Sequence, residues 1–390
     1  MIEELLQPDI QLFIKEQANT DVRELALQKH KYLDWPFDKV LDQIRSRQRA
    51  KKKLMSWYQN ESLLFPPPIS MEQCSSEATA QYKASLVSGN SFLDLTGGFG
   101  IDTSFLSGSF KQITYVERNE WLCQLAEHNF KALELSIKIL NSSAEEELDH
   151  DSTFDLIYID PARRNDNAQK VIRLEDYSPN VVELLPKILE KADRYMIKVS
   201  PMFDIKLGIE QLEGVEEVHV VSLKNEVKEL LFLGSKNCQK EPSIIAVNLQ
   251  SNDEVFKFNY AHEIEAAVPF GPISKYLYEP NAAIIKAGAF KSLATAYGLT
   301  KLHTNTQLYT SADLKPNFPG RVFQVIDEVK PNKKEMKRIL PEMKANISVR
   351  NYPLSVEQIR KKTGLKEGGD HYLFGFTDSE AKRFVLCEKL

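Results

Sequence analysis

Cysteine is scarce in this chain of 390 residues: Cys74, Cys123, Cys238 and Cys387 are the whole set, scattered and without a CxxC pair. Such spacing offers neither a zinc site nor a disulfide framework, and it suits a reduced, cytoplasmic setting. No run of about eighteen apolar residues exists, which speaks against a membrane-spanning helix. The opening MIEELLQPDIQLF is acidic and lacks the basic-then-apolar order of a secretory signal. An overall excess of positive charge is missing as well. The formal net charge is −5, so the average surface would repel a polyanion. Internal repeats and low-complexity tracts are absent.

What is present is segregated. Residues 39–53, KVLDQIRSRQRAKKK, hold seven basic residues against one acid, and residues 330–366 hold eleven against three. Acids gather elsewhere, as in AEEELDHDSTFD at 144–155. An anionic partner would need such a distribution, although solvated helix faces produce charge runs too.

Three regions follow from the periodicity. Residues 1–88 carry apolar positions at helical spacing in IQLFIKEQ, VRELALQKHKYL, FDKVLDQIRSRQRAKKKLMSWY and SSEATAQYKASLV, interrupted by FPPPIS at 65–70, which should be extended. In residues 89–265 short β-rich runs alternate with helical ones, the pattern of a parallel sheet with crossover helices. EVKELLFLG and SIIAVNLQS follow VHVVSL without a helix between and should close that sheet as antiparallel strands. Residues 266–390 should form a small α/β unit in which SVEQIRKKTGL is a capped helix between two strands.

Within the middle region, FLDLTGGFGIDTSFL at 92–106 is an apolar run that breaks into Gly97, Gly98 and Gly100 and resumes as a helical pattern. A strand turning through glycines into a helix brings bare main-chain N–H groups to one point, where a nucleotide-like ligand can sit. GGFG does not fit GxGxxG, because the third glycine position falls at Thr103, and no GK[ST] follows. Asp94 before the turn and Asp102 after it suit a cationic ligand better than a pyrophosphate. The next strand ends in YVERNE, where Glu117 can accept both hydroxyls of a ribose, with Arg118 beside it. A third strand ends in LNSSAEE, whose turn at Ser143 reaches toward an adenine edge, and a fourth ends in IDPARR.

The ordered set of strand ends resembles the class I S-adenosylmethionine-dependent methyltransferases, with a Rossmann-like doubly wound sheet. In that family the acid before the glycine turn faces the amino-acid end of the cofactor and the acid ending the second strand holds the ribose. Asp94, Gly97, Gly98, Gly100 and Glu117 occupy those places, and Asp102, Arg118 and Ser143 complete the expected cofactor set. DPARR stands where methyltransferases of base nitrogens carry an Asp- or Asn-Pro-Pro-aromatic turn. Asp160 and the carbonyl of Pro161 could accept an amine's protons and free its lone pair. Ala162 and Arg163 replace the second proline and the aromatic, so Arg163 and Arg164 are expected to grip a phosphate or lie against a base. Carbon methylation would need a nucleophilic cysteine beside the target, and none of the four is well placed, so direct transfer to nitrogen without a metal is the expectation.

Taken whole, the chain resembles a bacterial family of class I methyltransferases with a C-terminal THUMP-like domain. SMEQCSSEATAQYKASL, DLTGGFGIDTSFL, DPARR, KNEVKELL, LYEPNAAIIKAGAF and VRNYPLSVEQIRKKTGLKEGGDHYLFG carry that resemblance. It implies a helical domain at 1–88, a methyltransferase domain at 89–265, a THUMP-like domain at 266–390, and structured ribosomal or transfer RNA as substrate. A protein or small-molecule substrate, or a non-catalytic RNA-binding role, is the alternative. Ser76 and Glu77 either help close the site, or Ser75 or Ser76 merely caps the helix that follows.

Overall fold

The computed structural model describes residues 2–163, 173–251 and 254–390. Two compact units divide the chain, Met1–Glu217 with Glu229–Lys240, and Val218–Lys228 with Glu241–Leu390. Among the described residues no helix is long and apolar enough to cross a membrane.

The first unit begins with helices, of which the longest is α1, Phe37–Lys53. One face of α1 buries Phe37, Val40, Leu41, Ile44 and Ala50. The helical pattern runs on in sequence to Tyr58, but Leu54 adopts φ −141° and splits it into α1 and a short helix Met55–Gln59. The break lets Trp57 turn inward, where it meets Phe99 edge-on at 5.0 Å.

The proline stretch departs from expectation at its end: Phe65–Pro67 is extended, but Pro68 opens a helix, Pro68–Gln73. Proline is tolerated at a first helical position because no intrahelical N–H is needed there. The extended part cannot pair as a strand, so its polar groups are met by side chains. Gln43 accepts from Phe65 N at 2.8 Å and donates to Phe65 O, Ser46 donates to Pro66 O at 2.6 Å, and Asn129 bonds both Leu64 N and Leu64 O. Arg47 donates to the carbonyls of Tyr58, Asn60 and Leu63 at 3.0–3.5 Å. Arg49 reaches Pro68 O, and Lys53 reaches Met71 O and Glu72 O. Three of the seven cations in the basic run therefore staple this strap rather than face a partner.

The sheet follows: β1 Ser91–Asp94, β2 Gln112–Val116, β3 Lys138–Leu140, β4 Phe154–Ile159, β5 Ala192–Val199, and then β6 Val215–Leu223 and β7 Glu226–Ser235, of which Val218–Leu223 and Glu226–Lys228 count with the second unit. Their order is β3-β2-β1-β4-β5-β7-β6. The first five are mutually parallel and β7 runs antiparallel to β5. EVKELLFLG thus inserts between β5 and β6 instead of closing an edge. Its unbroken buried run Glu229–Gly234 is that of an interior strand covered on both faces. The crossover helices include α2 Glu77–Ser85, preceding β1, then α3 Ile101–Leu106, α4 Glu120–Ala132 and α5 Val181–Lys191. Strand order reverses between β1 and β4, the point outside which ligands bind in open α/β sheets.

In the second unit, β8 Ser243–Leu249 and β9 Glu254–Phe258 form an antiparallel pair. A separate seven-stranded sheet uses β10 Tyr276–Pro280, β11 Thr300–His303, β12 Thr306–Ser311, β13 Gly320–Glu328, β14 Asn346–Arg350, β15 His371–Thr377 and β16 Lys382–Lys389. Its order is β11-β12-β10-β13-β16-β15-β14. Only β14 and β15 pair in parallel, and between them lies the expected helix, Val356–Thr363, with Ser355 as N-cap and left-handed Gly364 as C-cap.

The strap suggests a stability test. Arg47→Ala removes a half-buried guanidinium that serves three carbonyls and should cost about 2–3 kcal/mol in urea unfolding. Exposed Lys52→Ala, one turn further along α1, should stay within about 0.5 kcal/mol. Equal effects would mean that the run acts as surface charge throughout.

Candidate active site

The three glycines serve three different needs. A Cβ on Gly97 would lie 2.0 Å from the Tyr115 ring, so the close approach at this position is to the protein's own core. Tyr115 stacks edge-on against Phe130 and donates its hydroxyl to Gly98 O at 2.6 Å. Gly100 is left-handed at φ +81°, stands as N-cap of α3, and leaves room for the Phe130 ring 2.7 Å from where its Cβ would be. Gly98, at φ +55°, has only Thr96 O near its missing Cβ, at 3.7 Å. Of the three, Gly98 is the one whose open side faces away from the core.

The strand ends place carboxylates around this turn. Glu117, just past β2, accepts from Gly98 N at 2.9 Å and from Asn119 N at 2.8 Å, which fixes its carboxylate beside the loop. Arg118 next to it is exposed. Ser143 caps its short helix reciprocally with Glu146: its hydroxyl accepts from Glu146 N, and Glu146 accepts from Ser143 N. Asp94 is buried at the end of β1, with one oxygen taking the Thr103 hydroxyl at 2.5 Å and the other Thr96 N at 2.9 Å. Burial pushes its carboxyl up to about 7; the two hydrogen bonds oppose this, and the nearby charges of Asp102 and Asp160 add to it.

Beneath the turn lies a cluster with no sequence signature. Lys83 on α2, fully buried, bonds both oxygens of Glu229 on β7 at 2.7 and 2.9 Å and lies 3.2 Å from Asp102 Oδ1. Asp102 Oδ2 takes the hydroxyls of Tyr158 at 2.7 Å and Ser75 at 2.8 Å. Lys198 on β5 donates to Asp160 Oδ2 and stands 3.9 Å from Asp102. Burial works against charge on Asp102, but Lys83 and Lys198, with the Tyr158 and Ser75 hydroxyls, outweigh it and hold the carboxyl below its ordinary value. Burial likewise pulls the Lys198 ammonium down, and Asp160, Asp102 and Glu229 together raise it above an ordinary lysine.

Asp160 follows β4 directly. Its amide donates to the Thr96 hydroxyl at 2.6 Å, so the glycine turn and the fourth strand end are joined by a hydrogen bond. Its side chain is 35% exposed, whereas Asp102 and Glu229 are at 11% and 3%. Pro161 is buried, and exposed Arg163 lies in a two-residue antiparallel ladder with Tyr177. Arg164 lies outside the described residues. Ser76 is an N-cap in a capping box with Thr79, and Glu77 accepts from Ser56 N at 3.0 Å. Ser75, one position earlier, is the residue that turns toward Asp102.

The network therefore brings together Asp94, Asp102 and Asp160 among the expected residues and adds Thr96, Lys83, Lys198, Tyr158, Ser75 and Glu229. Two ammonium groups face three carboxylates, with Asp94 as a fourth near its midpoint at neutral pH. The balance is negative, and it fits a ligand that carries a sulfonium.

Lys83 lends itself to a direct check. Lys83→Met should cost about 3–5 kcal/mol because it strands Glu229 in the interior. Lys83→Met with Glu229→Met should recover at least half of that loss, as seen by urea melts. A double variant no better than the single one would mean that packing, not charge, dominates there.

Three family descriptions match parts of the chain: "Conserved hypothetical protein 95" over 73–183, a ferredoxin-like domain over 276–319, and a THUMP domain-like segment over 320–389. An uncharacterized S-adenosylmethionine-dependent methyltransferase of Mycobacterium tuberculosis is 22% identical over 309 residues, 76% of this chain and 80% of the relative. Among solved structures, a provisionally named methyltransferase from Porphyromonas gingivalis W83 is 32% identical, covers 100% of this chain and 98% of its own, and superposes with a TM-score of 0.86. With the sheet order, the glycine turn and the acids at the strand ends, these matches establish that the chain belongs to the class I S-adenosylmethionine-dependent methyltransferases that carry a C-terminal THUMP-like domain.

Proposed function

We propose that this methyltransferase acts on a base nitrogen of structured RNA by direct transfer, with Asp160 receiving the target amine. The observation that carries the reading is Asp160 itself: it is the most exposed carboxylate of the cluster, stands at the switch point, and is anchored through both its backbone and one carboxylate oxygen. With Oδ2 committed to Lys198, Oδ1 remains to accept an N–H, and the carbonyl of Pro161 can take the second. The amine lone pair is then turned out of conjugation. S-adenosylmethionine supplies an electrophilic methyl group on a sulfonium. Around it, Glu117 would hold the ribose hydroxyls, the main chain at Gly98 would line the cofactor, and Asp94 and Asp102 would supply the negative field. Arg163 would meet phosphate or base. The charge segregation and the THUMP domain-like match at 320–389 support RNA over a protein or metabolite.

Two measurements follow. Asp160→Asn should lower kcat at least about 100-fold while leaving cofactor Kd within about twofold, as expected of a residue that acts on the amine. Nucleoside mass spectrometry of ribosomal and transfer RNA from cells with and without the gene should show one methylated base disappear. An unchanged spectrum in both RNA pools would refute the RNA assignment.

A third measurement concerns Asp94. With its folded value raised, its contribution to stability is present below about pH 4 and is lost as pH rises through about 7. The ionised form favours a cation nearby. From pH 6 to pH 8 the ratio of S-adenosylmethionine affinity to that of S-adenosylhomocysteine, which lacks the sulfonium charge, should therefore rise, by up to about tenfold. Calorimetry on Asp94→Asn should show a flat ratio. A flat ratio in the unaltered protein would place the sulfonium away from Asp94.

A further inference from the structure

A recess of the first unit is lined by none of the residues named at the strand ends. It is a cleft of about 730 Å³ between the Ala18–Arg23 segment and α1, lined among others by Thr20, Arg23, Arg45, Gln48, Lys51 and Tyr58. Its walls are fixed by the protein itself, since Gln48 donates to Thr20 O at 2.8 Å and bridges the two sides. Its cations differ from those that staple the strap. Arg49 also lines it but is committed to Pro68 O and to Glu72 at 2.7 Å. Among the described residues Arg45 has only the partly exposed Asp42 at 3.5 Å, a pair of little worth in water. Lys51 lies 5.9 Å from the Tyr58 ring centre, and the Arg23 side chain has no hydrogen bond or ion pair among the described residues. The acid of the lining, Asp21, turns its carboxylate to Arg23 N at 2.8 Å.

Three uncommitted cations thus converge on a preformed cleft in a protein whose net charge is −5. A solvated charge run gives no such convergence, because its side chains point apart along the helix. Two guanidinium groups and an ammonium on one cleft, with the Gln48 amide in its wall, match the charge of consecutive phosphodiesters.

We propose that this cleft seats the sugar–phosphate backbone of the RNA substrate, holding a stretch of chain remote from the methylated base. The inference rests on the RNA reading above and assigns its grip to named residues.

The test uses the full chain saturated with S-adenosylhomocysteine and unfractionated transfer and ribosomal RNA as probes, with binding followed by fluorescence anisotropy between about 50 and 200 mM salt. The variant is Arg23→Ala, Arg45→Ala, Lys51→Ala together. The control, Lys111→Ala, Lys131→Ala, Lys138→Ala, removes the same charge from exposed positions elsewhere in the unit. The cleft variant should lose more than about tenfold in affinity and flatten the log–log salt slope by about 2, from about 0.7–0.9 per phosphate contact. The control should match the unaltered protein, and S-adenosylhomocysteine affinity should hold in both. An unchanged slope in the cleft variant, or equal loss in the control, overturns the assignment of the cleft while leaving RNA as substrate. Failure of the unaltered protein to bind either RNA at the lowest salt removes the RNA reading and the cleft with it.

Discussion

Lys83 and Lys198 set the terms for everything around the strand ends. An ammonium taken out of water loses several kcal/mol of hydration, which is returned only if carboxylates meet it at close range with their other lone pairs satisfied. Lys83 can be inside only because Glu229 offers both oxygens and Asp102 stands on the other side. Asp102 can be inside only because the Lys83 ammonium faces its Oδ1 and the Tyr158 and Ser75 hydroxyls donate to its Oδ2. The requirement passes from residue to residue until it reaches Asp160, where Lys198 leaves one oxygen exposed. Five segments distant in sequence are held together by a rule that tolerates no missing member. Preorganisation of Asp160 is a by-product of paying that hydration cost.

The same economy shapes the glycine turn. A ligand is the usual reason given for clustered glycines, yet Gly97 yields to Tyr115 and Gly100 to Phe130. The Tyr115 hydroxyl then pins Gly98 O, and Glu117 pins Gly98 N. Both polar groups of one peptide neighbourhood are held by side chains from the second strand, so the turn has no freedom to adapt to whatever arrives. A rigid loop of this kind loses little conformational entropy on binding, which favours affinity without new contacts.

Legibility followed range. The turn, the acids at the ends of β1 and β2, and the helix capped by Ser355 and Gly364 were readable because each is written within a few consecutive residues. Lys83 and Glu229 were not, since they meet across 146 positions and each sits in an ordinary-looking run, a helix and an apolar strand. Lys198 in RYMIKVS reads as a polar interruption until β5 is placed beside β4. The proline stretch departs from full extension at Pro68 for a local reason, since a proline that ends extension can begin a helix. EVKELLFLG is antiparallel, as a missing crossover helix requires, but its interior position is not legible because sequence does not show which strand slides between which.

Charge counting in windows fails in a specific way here. The run at 39–53 gives seven cations, but Arg47, Arg49 and Lys53 are bound to carbonyls or carboxylates of the strap. In the second unit Arg350 and Arg321 converge on the buried carboxylate of Glu279, and Lys301 is buried against the carbonyls of His303, Thr304 and Thr306. A cation that satisfies main-chain oxygens cannot also neutralise a phosphate without opening the fold. The electrostatic surface that a polyanion meets is the remainder after these commitments. In the first unit that remainder is smaller than the sequence suggests but more convergent, and convergence is what separates a site from a charge run.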